Sequence, residues 1–202
     1  MNIITALAQA PLYSIHWPNA FNYGAFGSII GHEIGHAFDN NGVFYDEIGN
    51  PNEILDNASK SAFNKTVQCI IDEYNQIHLG KKHVDGKLTQ SENIPDNSGI
   101  QAAYHAYKAY NNLHGWDPLL PGRIAGQFTD DQCMNNTLLQ TNPLLWKDLH
   151  SPDPARTFGT LQNFKAFRSA FNCPINFPYA PQKTCNIWIT DAKPNVDNPP
   201  AN

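Results

Sequence analysis

Two histidines and a glutamate stand together in His32-Glu33-Ile34-Gly35-His36, at a spacing that suits metal chemistry. On a helix, residues i and i+4 lie on one face about a turn apart, so both imidazoles can point at a single ion. Neutral imidazole is a good ligand for tetrahedral Zn²⁺. Glu33 sits beside the first histidine, placed to take a proton from water at the metal rather than to bind the metal itself. Two ligands do not complete a site, because catalytic zinc takes three protein ligands and keeps one position open. The bare motif is equally compatible with two surface histidines on a helix, so the third ligand decides.

A metzincin would need glycine at position 39 and histidine at position 42, where this chain has Asp39 and Gly42. Glu53 and Asp56 follow shortly downstream, but Asp56 is more simply a helix N-cap. The better third ligand is Glu92, in Glu92-Asn93-Ile94-Pro95-Asp96-Asn97. Glu92 and Asp96 share a helical face, so one carboxylate can bind metal while the other accepts the outer N–H of a ligand histidine.

These residues must be carried by helices. Residues 22–40 read as a buried helix, with small residues allowing close packing and Gly42 suited to a left-handed C-terminal cap. Residues 43–55 read as a loop. A second helix starts near Asp56 or Asn57, with Phe63, Val67, Ile70, Ile71, Tyr74 and Ile77 forming an apolar stripe. A turn-rich link over 81–86 and a short strand over 87–89 lead to a third helix from Ser91 to about Tyr110. Pro118 and Pro121-Gly122 break the chain, and 128–149 is mixed. Residues 151–154 are proline-rich, and a helix follows over 161–171. Residues 3–10 read as a buried strand, with a signal segment as the weaker alternative, because no basic residue precedes the apolar run. The segment 191–202, rich in Pro, Asn and Asp, reads as a disordered tail after one domain over 1–190.

Composition narrows the partners. The chain has 202 residues, 41% hydrophobic and 15% charged, enough for one globular core. A net charge of −5 without a basic block argues against nucleic acid, and no apolar run is long enough to span a bilayer. Four cysteines without a Cys-x-x-Cys pair disfavour a thiolate zinc site. With three Asn-x-Ser/Thr sequons, at Asn57, Asn64 and Asn135, they tilt the chain towards an extracellular glycoprotein. His16, His78, His83, His105 and His114 lack ligand spacing and are expected at the surface or in the core.

Taken in order, several motifs resemble the neprilysin-type zinc metallopeptidases, family M13. They are His32 to His36 with Asp39-Asn40-Asn41-Gly42, the His83 to Thr89 lead-in with Glu92 to Asn97, Ala102-Ala103-Tyr104 and Leu120-Pro121-Gly122. His150-Ser151-Pro152 with Arg156 and the closing Cys185-Asn186-Ile187-Trp188 complete the set. The resemblance covers Ile3 to Trp188. It implies a mainly α fold, the C-terminal helical part of an α+β zincin catalytic domain of the thermolysin-like gluzincin type, with most of the sheet upstream. It assigns one Zn²⁺ to His32, His36 and Glu92, the general base to Glu33 and a histidine-orienting role to Asp96. His150 would steady the oxyanion, and Arg156 would bind a substrate carbonyl or carboxylate.

The implied function is a zinc metalloendopeptidase acting on peptides at the cell surface or outside the cell. The alternative is a non-catalytic fragment or pseudoenzyme that binds zinc or peptide without turnover. The resemblance also implies a Cys69–Cys185 disulfide, with Cys133 and Cys173 pairing to an upstream region. Asn19-Ala20-Phe21 looks like a family substrate-binding motif but stands in the wrong place and reads as coincidence. The chain departs from the pattern at Asn40, Ser91, Ser98 and Pro95, and it lacks a short aromatic helical stretch between Gln132 and Cys133. Pro95 is expected to be tolerated only if Ser91 caps the helix, since first-turn N–H groups have no intrahelical partner.

Overall fold

The computed structural model describes residues 5–52, 55–115 and 147–188. Among these the chain is helical apart from one small hairpin. Helix α1 (Asn19–Asn22) runs through a π-helical turn (Tyr23–Gly27) into α2 (Ser28–Gly35), and a 3₁₀ turn (His36–Phe38) continues it. Helix α3 (Asn57–Asn75) leads through strands β1 (His78–Leu79) and β2 (Lys82–His83) to the long α4 (Gln90–His114). Helices α5 (Asp153–Asn163) and α6 (Lys165–Ala170) complete the set.

The third helix follows its sequence pattern. The Asp56 side chain accepts from Ser59 N at 2.7 Å, satisfying an orphan N–H of the first turn. Phe63, Val67, Ile70, Tyr74 and Ile77 are buried in one cluster with Val84, Ile94, Ala155 and Ile187. A second cluster joins Ala20, Ile100, Ala103, Tyr107, Leu161, Phe164 and Phe167. Helix α4 contributes to both clusters, and its first half is buried on every side from Glu92 to Asn97. The disulfide Cys69–Cys185 spans 116 residues and fastens α3 to the C-terminal segment.

Helices α2 and α4 cross closely because glycines meet at the crossing. A Cβ on Gly31 would lie 2.5 Å from the Gly99 carbonyl oxygen, and one on Gly99 would lie 2.5 Å from His32 N. This contact brings the histidines of α2 within reach of the carboxylates of α4.

Several expectations are corrected. Residues 5–10 are not a strand: Thr5–Leu7 is a 3₁₀ turn closed by Ala8 N donating to Thr5 O. Gly42 does not cap in the left-handed region; it opens a 3₁₀ turn (Gly42–Phe44) and is needed because a side chain there would collide with the His36 carbonyl. The helix expected over 22–40 changes character at Gly35 and ends at Phe38, where Asp39 turns extended. The strand expected over 87–89 is a turn, because Asp85 collects Lys87 N, Leu88 N and Thr89 N on its side-chain and backbone oxygens. The strands lie earlier, at 78–83.

Helix α4 starts behind Thr89, not at a Ser91 cap, so Pro95 lies inside the helix proper. It is accommodated by Gly35, where a Cβ would sit 2.9 Å from Pro95 Cα. The helix expected over 161–171 is two helices, broken at Phe164, whose extended backbone (φ −92°, ψ 95°) buries its ring in the second cluster. The proline-rich 151–154 forms the start of α5, with Pro152 as N-cap and Pro154 in the first turn, where a missing N–H costs no helical bond. The expected breaks at Pro118 and Pro121-Gly122, most of the mixed segment 128–149, the missing stretch before Cys133 and the tail 191–202 lie outside the described residues.

Candidate metal centre

Helix α2 presents His32, and the 3₁₀ turn that continues it presents His36, with ring centroids 4.7 Å apart and planes at 85°. Opposite them, Glu92 projects from the first turns of α4. His32 Nε2 lies 3.3 Å from Glu92 Oε2, His36 Nε2 lies 3.7 Å from it, and His150 Nε2 arrives from the segment before α5 at 3.1 Å. The ligand atoms of His32, His36 and Glu92 all fall within 4.8 Å of one another.

Each imidazole is held from behind by a carboxylate. His32 Nδ1 meets Asp96 Oδ1 at 2.7 Å, His36 Nδ1 meets Asp39 Oδ2 at 2.8 Å, and His150 Nδ1 meets Asp148 Oδ1 at 2.7 Å. A carboxylate can only accept, so each bond places a proton on Nδ1 and, in the neutral ring, leaves the Nε2 lone pair facing Glu92. Glu92 Oε2 is accordingly buried with no hydrogen-bond partner, although three nitrogens surround it. A metal ion, or a proton on His32, would relieve this meeting of nitrogens with a buried carboxylate oxygen. The donor set, two imidazoles and a carboxylate with outer N–H groups bonded to carboxylates, fits Zn²⁺.

The charges around the cluster are strongly coupled. Burial pushes the Asp96 carboxyl up, but the paired N–H groups of Arg156 and the His32 ring outweigh it and hold Asp96 below the usual carboxylate range. Arg156 grips Asp96 with two bonds, from Nε and Nη2, each 2.7 Å. Burial also raises the Glu92 carboxyl, yet His32, His150 and His36 together leave it lowered. For His32, burial favours the neutral ring, but Asp96 and Glu92 overcome it and push its pKa up to about 9. Without a metal this ring holds a proton that an ion must displace, so metal uptake releases protons.

Behind the cluster lies a buried amide network. Ser151 Oγ donates to Asn93 Oδ1 at 2.8 Å, fastening the His150 segment to α4 one residue from Glu92. Asn97 Nδ2 donates to the Tyr74 hydroxyl at 3.1 Å, and Asn163 Nδ2 donates to Asn97 Oδ1 at 2.9 Å and Glu73 Oε1 at 2.7 Å. Asn163 Oδ1 also accepts from Cys185 N at 2.7 Å. The rings of Trp188 and Phe63 stack with centroids 5.2 Å apart, and Trp188 Nε1 donates to Phe38 O at 3.0 Å, securing the exit of the histidine helix.

Beside the cluster a cavity of about 410 Å³ is lined by Glu33, His150 and Arg156 together with Leu7, Leu12, Ile29, Ile100 and Leu161. A lining that mixes polar groups with apolar side chains suits an apolar side chain beside a reacting amide.

All seven residues singled out for chemistry, His32, Glu33, His36, Glu92, Asp96, His150 and Arg156, come together around this cluster and cavity. Three partners were missed: Asp39, Asp148 and the Asn93–Ser151 bond. The first two had a readable signal, a carboxylate three residues after His36 and another two residues before His150. The Asn93–Ser151 contact spans 58 residues and leaves none.

The model of peptidase family M13 matches residues 1–187. The chain belongs to family M13. An endothelin-converting enzyme homolog of Locusta migratoria is 38% identical over 189 residues, covering 90% of this chain and 26% of the relative. Neprilysin-1 of Caenorhabditis elegans is 39% identical over 194 residues, with 90% and 26% covered. Among solved structures, a zinc metalloprotease of Mycobacterium tuberculosis in complex with an inhibitor superposes with a TM-score of 0.82 at 30% identity, covering 92% of this chain and 30% of that one. The chain thus spans about a quarter of the length of the curated M13 relatives it matches. The expected fold class stands: this is the helical part of an M13 catalytic region. Of the expected cysteine pairings, Cys69–Cys185 is formed; Cys173 is unpaired and Cys133 lies outside the described residues. No described helix is long and apolar enough to cross a membrane.

Proposed function

We propose that this M13 chain is the metal-binding and catalytic part of a zinc metalloendopeptidase acting on peptides on the outer side of the cell. The observation that carries the reading is Glu92 Oε2, buried without a hydrogen bond at the focus of three imidazole Nε2 atoms. His32, His36 and Glu92 would hold one Zn²⁺, which when bound supplies Lewis acidity towards the scissile carbonyl and makes water easier to deprotonate.

The remaining steps fall to the chain's own groups. Glu33, on the cavity wall, takes the proton from the attacking water and returns it to the leaving amine. His150, its ring held by the Asp148 carboxylate behind it, is placed to steady through Nε2 the oxygen that gains negative charge. Arg156 holds Asp96, and through it the tautomer of His32, while its exposed edge borders the cavity where a substrate carbonyl would lie. The apolar lining residues of the cavity would accept the side chain next to the cleaved bond.

The test compares zinc content and peptide hydrolysis of the purified chain with Glu33→Gln. Retained zinc with hydrolysis lost supports the assignment, and equal hydrolysis overturns it. A second reading, zinc or peptide binding without turnover, draws on the short span relative to the M13 relatives. One zinc per chain with no hydrolysis by wild type selects it.

A further inference from the structure

The sequence offered no ligand role for His78 or His83, yet folding sets them directly opposite each other. The register of the hairpin pairs His78 with His83 and Leu79 with Lys82. Gly80, at φ +65°, takes the first turn position, which suits a two-residue type II′ connection. Val84 N donates to Ile77 O at 3.0 Å, making 77/84 a hydrogen-bonded pair. Pairs alternate along an antiparallel ladder, so His78 and His83 occupy the non-hydrogen-bonded kind, where facing side chains approach most closely. Their ring centroids are 6.1 Å apart with planes at 61°, and both residues are exposed.

A second observation fixes the tautomer of one of the two rings. His83 Nδ1 lies 3.1 Å from the Val84 carbonyl oxygen. A carbonyl only accepts, so His83 carries its proton on Nδ1 and keeps Nε2 as a free lone pair, the tautomer a metal-binding imidazole needs. Lys82 belongs to the neighbouring pair and by alternation points to the opposite face, away from the imidazoles. The two histidines of the zinc cluster sit 4.7 Å apart. Both His78 and His83 are exposed, so their rings are free to turn towards a shared ion.

We infer that His78 and His83 form a second metal site, a two-imidazole chelate for a divalent transition ion. Cu²⁺ is the tightest member of the series for nitrogen ligands. Water fills the other positions. The site lies on the link between α3 and α4, flanked by the buried Ile77 and Val84. A bound ion would therefore clip the hairpin that leads into the helix carrying Glu92 and Asp96. It adds stability by mass action, as any ligand of the folded state does.

The experiment titrates the zinc-loaded chain with CuCl₂, alongside H78Q, H83Q, the double variant and H16Q as an exposed control. Wild type and H16Q should take up one more equivalent of Cu²⁺ than the double variant, with an electron paramagnetic resonance spectrum showing two equatorial imidazole nitrogens. Each single variant should weaken that equivalent at least about tenfold, or roughly 1.4 kcal/mol. A readout that needs no substitution is the broadening of imidazole NMR signals by substoichiometric Cu²⁺. His78 and His83 should vanish before His16, His105 and His114. Equal Cu²⁺ uptake by the double variant, or earlier loss of the other histidines, overturns the site.

Discussion

Replacing Asp96 with asparagine tests how the cluster is held, because one carboxylate serves two masters. It accepts two bonds from Arg156 and one from His32 Nδ1, all 2.7 Å, at a position 8% exposed. Asparagine keeps the shape but offers one acceptor and one donor, so either Arg156 or His32 meets an N–H where it needs an oxygen. Arg156 also loses its counter-charge. Removing one partner of a buried pair costs about 3–5 kcal/mol, and the 21% exposure of the Arg156 side chain places this pair at the low end. Loss of a carboxylate behind a ligand histidine weakens metal binding by roughly 10–100-fold. Asp96→Asn should therefore lower unfolding free energy by about 3 kcal/mol in urea and weaken zinc about tenfold or more in competition with a chromophoric chelator. Adding Arg156→Met removes the stranded charge and should restore much of the stability without restoring the zinc affinity. Zinc affinity within threefold of wild type in Asp96→Asn would refute the link from Asp96 to His32. A double variant no more stable than the single would refute the stranded-charge argument.

Three further outcomes follow from the packing around the site. Burial pushes the Glu73 carboxyl up to about 7 from 4.5, against the hydrogen bonds of Asn163 and Gln162. Its stabilising protonated form is complete below pH 4.5 and lost as pH rises through 7. Glu73→Gln should thus stabilise the chain by up to roughly 3 kcal/mol at pH 8 and by nothing near pH 4.5, and equal effects in urea melts at both pH values would contradict this. Gly99→Ala places a methyl 2.5 Å from His32 N, backbone that cannot yield. It should cost about 1–3 kcal/mol or more and weaken zinc by moving α4 away from α2. Gly27→Ala, with no neighbour of its Cβ nearer than 3.6 Å, is the benign control in the same melting and chelator assays. Opening Cys69–Cys185 with a paired serine substitution frees a loop of 116 residues and should cost about 2–5 kcal/mol, read by denaturation with and without reductant.

What the sequence displayed and what it hid divides along contact range. His32 and His36, and likewise Glu92 and Asp96, are i, i+4 pairs, so helical periodicity alone aligns them. The stripe from Phe63 to Tyr74 and the Asp56 cap are equally local. Element ends set by tertiary contacts were misplaced. Phe164 breaks a helix that periodicity would continue, because its ring joins the second core while Asn163 turns into the amide network. Pro95 was expected to need a cap at Ser91, yet the helix begins at Gln90, behind Thr89, and the glycine across the crossing makes the room. Gly42 was expected to supply a left-handed turn but supplies an absent side chain against the His36 carbonyl. In each case a residue type with two physical uses was read for the wrong one.

A cation at the centre would answer a charge imbalance that the motif alone does not reveal. Of the carboxylates in contact with the ligand rings, Asp39, Glu92 and Asp96 are buried, and Arg156 is the guanidinium bound among them. With neutral imidazoles this leaves two negative charges in a desolvated site, the charge one divalent cation cancels. Protons offer the alternative, and the pKa of about 9 at His32 shows that the apo site takes one there. A proton on His32 can satisfy only one of the lone pairs facing Glu92 Oε2, whereas one ion meets His32, His36 and Glu92 at once. The Nδ1 bonds to Asp96 and Asp39 fix both rings with Nε2 towards Glu92, so an ion and a proton compete for the same lone pairs and metal uptake should release a proton.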